Sequence, residues 1–188
     1  MTISAWVILA LWISFIVYWA VSARGAKRTV GRRAWWREGA LRLAIVGLVL
    51  LAVRIPAARH VLREARLPVG AFAGIAATLL CALGLGLAVW ARVHLGRNWG
   101  LPMSRKEDPD LVTTGPYAAI RHPIYAGLLL AMLGSAIGRG LFWLLLLVAV
   151  GAYFVASARR EEAFMLEQFP AAYAAYRART KMLLPFAL

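Results

Sequence analysis

The chain predicts an all-α integral membrane protein of about five transmembrane helices, the last two folded into a C-terminal hairpin. Three observations carry that prediction. Hydrophobic residues make up 62% of the 188 residues and charged residues only 16%, whereas a soluble domain is nearer half apolar and a quarter charged. Mean hydropathy is +0.70. The apolar residues form runs long enough to cross a hydrocarbon core of about 30 Å, and most basic residues fall between those runs.

Ile3 to Ser22 is the first run and carries no charge. It has no basic leader and is too long for the core of a cleaved signal peptide, so a retained helix is expected. Arg24, Lys27, Arg28, Arg32, Arg33 and Arg37 follow, interleaved with Trp35 and Trp36, the mark of an interfacial loop. Gly39 to Ala58 is a second span with Arg42 and Arg54 near its ends, where their stems can snorkel to the headgroups. A re-entrant or interfacial helix is the alternative there. Leu67 to Ala91 is the third span, and Gly70, Gly74, Gly84 and Gly86 suit it to close helix contacts. The polar stretch Arg92 to Arg121 is long for a connection, which marks it as functional. Ile124 to Gly138 and Leu141 to Ala158 are the last two spans, and Gly138-Arg139-Gly140 is short enough to force an antiparallel hairpin. Pro123 stands at a first helical position, where its missing N–H costs nothing. The tail from Arg159 is helical in pattern. With no repeat and no low-complexity linker, one domain is expected over 1–188, with N-terminal helices in 1–91 and the motif-bearing half in 92–188.

The formal charge is +14, from 22 basic and 8 acidic residues. In a soluble protein this would suggest nucleic acid, but no recognition module accompanies it. Basic residues between apolar runs fit loops at an anionic leaflet, so membrane lipids are the expected partners and nucleic acid is not. The loop Ala23 to Glu38 with Arg42, the stretch Arg92 to Arg121 and the tail hold 17 of the 22 basic residues. The positive-inside rule then puts those segments in the cytoplasm and the N-terminus outside. The Ala-, Arg- and Leu-rich composition suggests a bacterial inner membrane. A single Cys81 excludes an intrachain disulfide, and three scattered histidines without a His-Glu-x-x-His motif give no reason to expect a metal.

Leu111 to Gly127 crowds a turn, a cation, an imidazole, two phenols and two prolines against the start of an apolar run. Polar chemistry at the mouth of a membrane helix is costly and usually functional. Arg159-Arg160-Glu161-Glu162 lies just beyond the following run, so the hairpin should bring Arg121 and His122 close to Glu161 and Glu162. Each element has a bland reading alone. Gly115-Pro116 makes an ordinary turn, His122 an interfacial hydrogen bond, the glutamates a helix start favoured by the dipole, and Tyr117, Tyr125, Tyr173 and Tyr176 an aromatic belt. Their order is more specific: Gly-Pro-Tyr, Arg-His-Pro-x-Tyr-x-Gly, an apolar hairpin, Arg-Glu-Glu, then Tyr-x-x-Tyr.

That order resembles the isoprenylcysteine carboxyl methyltransferase family, part of a wider group of small membrane methyltransferases that includes phospholipid N-methyltransferases. The resemblance covers roughly the C-terminal half. It implies S-adenosylmethionine as cofactor, held without a Rossmann fold in a cytosolic pocket. Tyr117, Arg121, His122, Pro123, Tyr125 and Gly127 fall on the first cofactor segment, and Glu161 and Glu162 on the acidic pair. Carboxylates for ribose hydroxyls or an amino group, an imidazole and an aromatic bed suit a sulfonium nucleoside. His94-Leu95-Gly96-Arg97-Asn98-Trp99 resembles the family's Leu-Gly-x-Asn-Trp segment, which with Tyr173, Tyr176 and Arg177 of the tail implies a substrate side. Two departures stand out: Gly100-Leu101-Pro102-Met103 where the family has serine after Asn-Trp, and Phe169-Pro170 where it has Phe-Gly. The first bears on the acceptor. A lipophilic or lipidated acceptor is implied, foremost a prenylcysteine-like carboxylate, which a cation such as Arg97, Arg159 or Arg160 would position. An amine of a phospholipid or a thiol is the alternative and would need His122, Glu161 or Glu162 as base. A membrane reductase, and a scaffold or transporter, are the readings of other classes.

Overall fold

The computed structural model describes residues 2–25, 29–30, 70–99, 105–106, 110–139 and 141–184. The second expected span, Gly39 to Ala58, lies outside the described residues, as do Leu101 and Met103. Five helices are described: α1 (Ile3–Ser22), α2 (Ala71–Leu95), α3 (Pro123–Arg139), α4 (Leu141–Gln168) and α5 (Pro170–Arg179). The β structure among the described residues is slight. Thr29–Val30 pairs antiparallel with Arg105–Lys106, and Ile120 bridges Lys181 in parallel.

Three helical segments are long and apolar enough to cross a membrane, Ile3–Ser22, Ala71–Asn98 and Trp143–Gln168, with Pro123–Gly138 a shorter apolar helix. This is a membrane protein built of helices. Their outer faces expose Ile16, Val17, Phe72, Leu83, Leu145 and Val148, side chains whose natural solvent is lipid. The third expected span starts and ends about four residues later than its hydropathy suggested. The last does not stop at Ala158 but continues as one helix through Arg159-Arg160-Glu161-Glu162 to Gln168. The glutamate pair is therefore two turns or less from the middle of a continuous helix, not at a helix start.

Helix directions follow from the contacts. Arg92 near the end of α2 donates to the Ser22 carbonyl at the end of α1, while Ile8 and Ala77 both meet Gly138 at the other end. Thus α1 and α2 run parallel and α3 runs against them. Glycine makes the α2–α3 contact possible: a Cβ on Gly84 would lie 2.5 Å from the Gly127 carbonyl, and one on Gly134 would lie 2.5 Å from the Ala77 carbonyl. Such backbone-to-backbone approach is how helices associate where lipid removes the hydrophobic drive. Gly70 and Gly86, expected to help, face open space. Ile8, Phe15, Ala77, Cys81, Leu85 and Ala131 fill the middle of the bundle. Trp12 ties α1 to α3 by donating its indole N–H to Ser135 (2.9 Å), whose hydroxyl donates back to the Ala131 carbonyl.

Candidate functional site

The site lies at the end of the bundle where α1 and α2 finish, α3 begins and α4 projects. Gly115 opens the local fold with φ +58°, a left-handed conformation that favours glycine. A Cβ there would also come within 2.3 Å of the His94 ring. The turn Gly115–Ala118 then buries Pro116 and Tyr117. Beyond it, the N–H of Arg121 donates to the Lys181 carbonyl (2.8 Å) and that of His122 to the Met182 carbonyl (3.0 Å). Tyr176 donates its hydroxyl to the Tyr117 carbonyl at 2.6 Å, and Thr180 donates to the Tyr176 carbonyl at 2.7 Å. The tail is thereby stitched to the segment in front of α3. Pro123, fully buried, starts α3 as its position predicted.

This framework converges charged side chains from three elements. Arg121 Nε donates to Glu162 Oε1 at 2.6 Å, and Arg121 Nη1 donates to the Thr180 carbonyl. Arg177 of α5 reaches Glu162 Oε2 at 3.4 Å. The His122 ring lies between the two glutamates, Nδ1 3.5 Å from Glu161 Oε2 and Nε2 3.4 Å from Glu162 Oε1. The second is an ion-pair separation without hydrogen-bond alignment, so Nε2 is buried with no hydrogen-bond partner. Tyr125 donates its hydroxyl to Glu161 Oε1 at 2.6 Å. The rings of His122, Tyr125 and Phe154 stack in series, His122 to Tyr125 at 5.4 Å and Tyr125 to Phe154 at 4.4 Å. Glu162 is closed in at 3% exposure, while the Glu161 side chain keeps 26% of its surface open.

The electrostatics match this layout. Burial opposes the imidazolium of His122, but the adjoining carboxylates of Glu161 and Glu162 outweigh it and hold its pKa above the usual value. Burial, then the Glu162 carboxylate, raises the Tyr173 phenol, and burial pushes Tyr176 up to about 12. Tyr117 is raised by burial first, then by Tyr176 and Glu161, against the lowering field of Arg92. Tyr117 thus stands within electrostatic reach of both Glu161 and Arg92.

The residues singled out by sequence divide into three groups. Tyr117, Arg121, His122, Pro123, Tyr125, Glu161, Glu162, Tyr173, Tyr176 and Arg177 come together as described. Gly127 does not join them: it packs α3 against α2, a Cβ there meeting the Gly84 carbonyl at 2.5 Å. Arg97, Arg159 and Arg160 are exposed, and helix continuity turns the arginine pair toward the surface while Glu162 turns in. Asn98 accepts from the Asp110 N–H at 3.2 Å, and Trp99 is buried edge-on to Trp19 at 5.5 Å. Arg92 is the residue that the sequence did not flag. It is 5% exposed, donates to the Gly96 carbonyl at 2.7 Å and to the Ser22 carbonyl, and lies 4.8 Å over the Trp99 ring. A lone arginine at the end of an apolar run, one turn before Leu-Gly-x-Asn-Trp, is the sole signal it gives in sequence. Among the described residues no group of His, Cys, Asp and Glu could hold a metal.

Fold and site together define a class: a helical membrane protein whose polar cluster is buried at one end of the bundle between the last hairpin and a returning tail. The family model for phospholipid methyltransferases matches residues 72–172, and the chain belongs to that family. It is 35% identical over 106 residues to the cobalt-zinc-cadmium resistance protein CzcN of Cupriavidus metallidurans, covering 55% of this chain and 49% of that one. It is 33% identical over 110 residues to the protein-S-isoprenylcysteine O-methyltransferase of Schizosaccharomyces pombe, covering 56% and 46%. The matched region spans about half the length of each relative. Among solved structures, the eukaryotic intramembrane Ras methyltransferase, isoprenylcysteine carboxyl methyltransferase, superposes with a TM-score of 0.54 at 28% identity, over 60% of this chain and 42% of that one.

Proposed function

We propose that this protein transfers a methyl group from S-adenosylmethionine to a lipophilic acceptor in the membrane, foremost the carboxylate of a prenylcysteine-like compound. The observation that carries the proposal is the buried His122 held between Glu161 and Glu162, with residues 121–125 and 161–162 brought from opposite ends of a membrane hairpin. Evolution rarely keeps so much charge at a helix mouth without a use. The donor set fits the cofactor: Glu161 offers a partly open carboxylate for hydroxyl or ammonium groups, His122 an unpartnered ring nitrogen, and Tyr125 with Phe154 an aromatic bed. When bound, the cofactor would supply a sulfonium-activated methyl group for transfer to the acceptor. The protein's work is to orient, desolvate and exclude water. Glu162, enclosed by Arg121, Arg177 and His122, positions those side chains. The packing of α1 on Trp99 and Arg92 supports a single domain in which 1–91 buttresses the catalytic half 92–188. The split of basic residues between loops supports a site at the cytoplasmic face, and the Ala-, Arg- and Leu-rich composition supports a bacterial inner membrane.

S-adenosylhomocysteine should raise the melting temperature of the detergent-purified chain, NADPH should not, and labelled methyl should pass to a prenylcysteine in a panel with phosphatidylethanolamine and small thiols. His122→Ala and Glu162→Gln should each weaken S-adenosylhomocysteine binding by roughly tenfold or more, the loss of a charge-assisted contact. Wild-type affinity in both variants would place the cofactor elsewhere, and stabilisation by NADPH instead would favour a reductase.

A further inference from the structure

Arg92 is a buried cation with no carboxylate partner among the described residues. Its guanidinium carries five N–H donors. Two go to backbone carbonyls, of Gly96 and Ser22, and the buried Nε has no partner at all. None of the ion pairs among the described residues includes it. A guanidinium withdrawn from water without a counter-charge is costly. The two carbonyls and the Trp99 face account for its position but leave the charge uncompensated.

Its surroundings point to what completes it. Trp99, beneath the guanidinium, belongs to the same apolar cluster as Tyr117, Tyr125, Phe154 and Leu183. Tyr125 in that cluster holds Glu161, and Tyr117 feels both Glu161 and Arg92. One apolar cluster therefore lies between Arg92 and the glutamate–histidine group. The other cations considered for an acceptor, Arg97, Arg159 and Arg160, are exposed.

We propose that Arg92 is the site for the anionic oxygen group of the lipid acceptor, a carboxylate or a phosphate, held by its spare donors beside Trp99. This deepens the methyltransferase reading and rests on it. A carboxylate acceptor gains position from such a fork without any general base; a phospholipid acceptor would place its phosphate there and its amine toward the methyl donor. Arg92 also clasps the ends of α1 and α2, so a structural role must be separated from a binding one.

The test uses full-length protein in detergent with S-adenosylhomocysteine present. Binding of N-acetyl-S-farnesylcysteine, of its carboxamide, and of phosphatidylethanolamine is measured for wild type, Arg92→Gln and Arg92→Lys. Wild type should prefer the acid over the carboxamide, and Arg92→Gln should lose that preference, binding the acid at least about tenfold more weakly as expected when a charge-assisted bidentate contact is removed. Arg92→Lys should recover only part of the loss, while affinity for S-adenosylhomocysteine stays within about twofold in both. If phosphatidylethanolamine alone shows the arginine-dependent binding, the anion is a phosphate and the proposal holds in that form. Where phosphatidylethanolamine binding is also indifferent to Arg92, equal binding of acid and carboxamide by wild type or an unchanged preference in folded Arg92→Gln overturns it, as does no binding of either anionic probe. Retained binding of S-adenosylhomocysteine in that last case would leave the methyltransferase reading standing.

Discussion

His122 sets the pH behaviour of the cluster at the level of single residues. Its folded-state pKa is raised, so the stabilisation it draws from Glu161 and Glu162 is complete below the unfolded value of about 6.5. It is lost as pH climbs through the folded-state value. The melting temperature of the purified protein should accordingly fall with rising pH above about 6.5, and His122→Gln should flatten that part of the profile. A wild-type profile that climbs over the same interval would contradict the assignment. Most of this cluster was legible in the sequence because its members crowd two short segments whose separation equals one membrane hairpin. Arg92 was not, since its meaning depends on the carbonyls of Ser22 and Gly96 arriving from different helices. Nor was Gly127, which sits in a motif yet packs a helix. A motif states which residues travel together, not which of them touch a ligand.

Among the apolar helices, α3 is the short one. Its 17 residues span about 25 Å at 1.5 Å per residue, less than a hydrocarbon core of about 30 Å. The 28 residues of α4 reach about 42 Å. α4 therefore extends well beyond the length that α3 matches, and Glu161 and Glu162 fall on that extra part. Hydropathy found both apolar runs but ended the second at Ala158, because a window loses its signal at charged residues even where the backbone hydrogen bonds continue. The α2–α3 seam yields its own prediction. Gly127→Leu places a side chain against the backbone of Gly84 and Ala88, and neither can yield as a side-chain tip can. The cost should be at least about 1–3 kcal/mol, as for overpacking elsewhere, read as a lower melting temperature in S-adenosylhomocysteine-free detergent solution. Gly86→Ala, facing open space, should leave that temperature unchanged; equal effects of the two would remove the seam as the reason for the glycine.

At the scale of the whole molecule, the parallel course of α1 and α2 fixes which ends share a face. The chain leaves α1 beside Arg92 and enters α2 at the opposite end of the bundle. Reporter fusions after Arg28, Lys106 and Leu188 should therefore agree with one another and report cytoplasm, and a fusion after Arg63 should report the far side. A cytoplasmic signal at Arg63 would be incompatible with a span over Gly39 to Ala58. The positive-inside count anticipated the shared face, but the convergence of Lys181 and Met182 on Arg121 and His122 had no sequence signal, being backbone pairing that any side chains allow. That pairing has a consequence for how the protein is made. Arg121 and His122 leave the ribosome about sixty residues before their backbone partners, which at 5–20 residues per second is a wait of roughly 3–12 s. The intervening helices are made during that interval, so the hairpin is complete as a chain before the tail that closes the site against it.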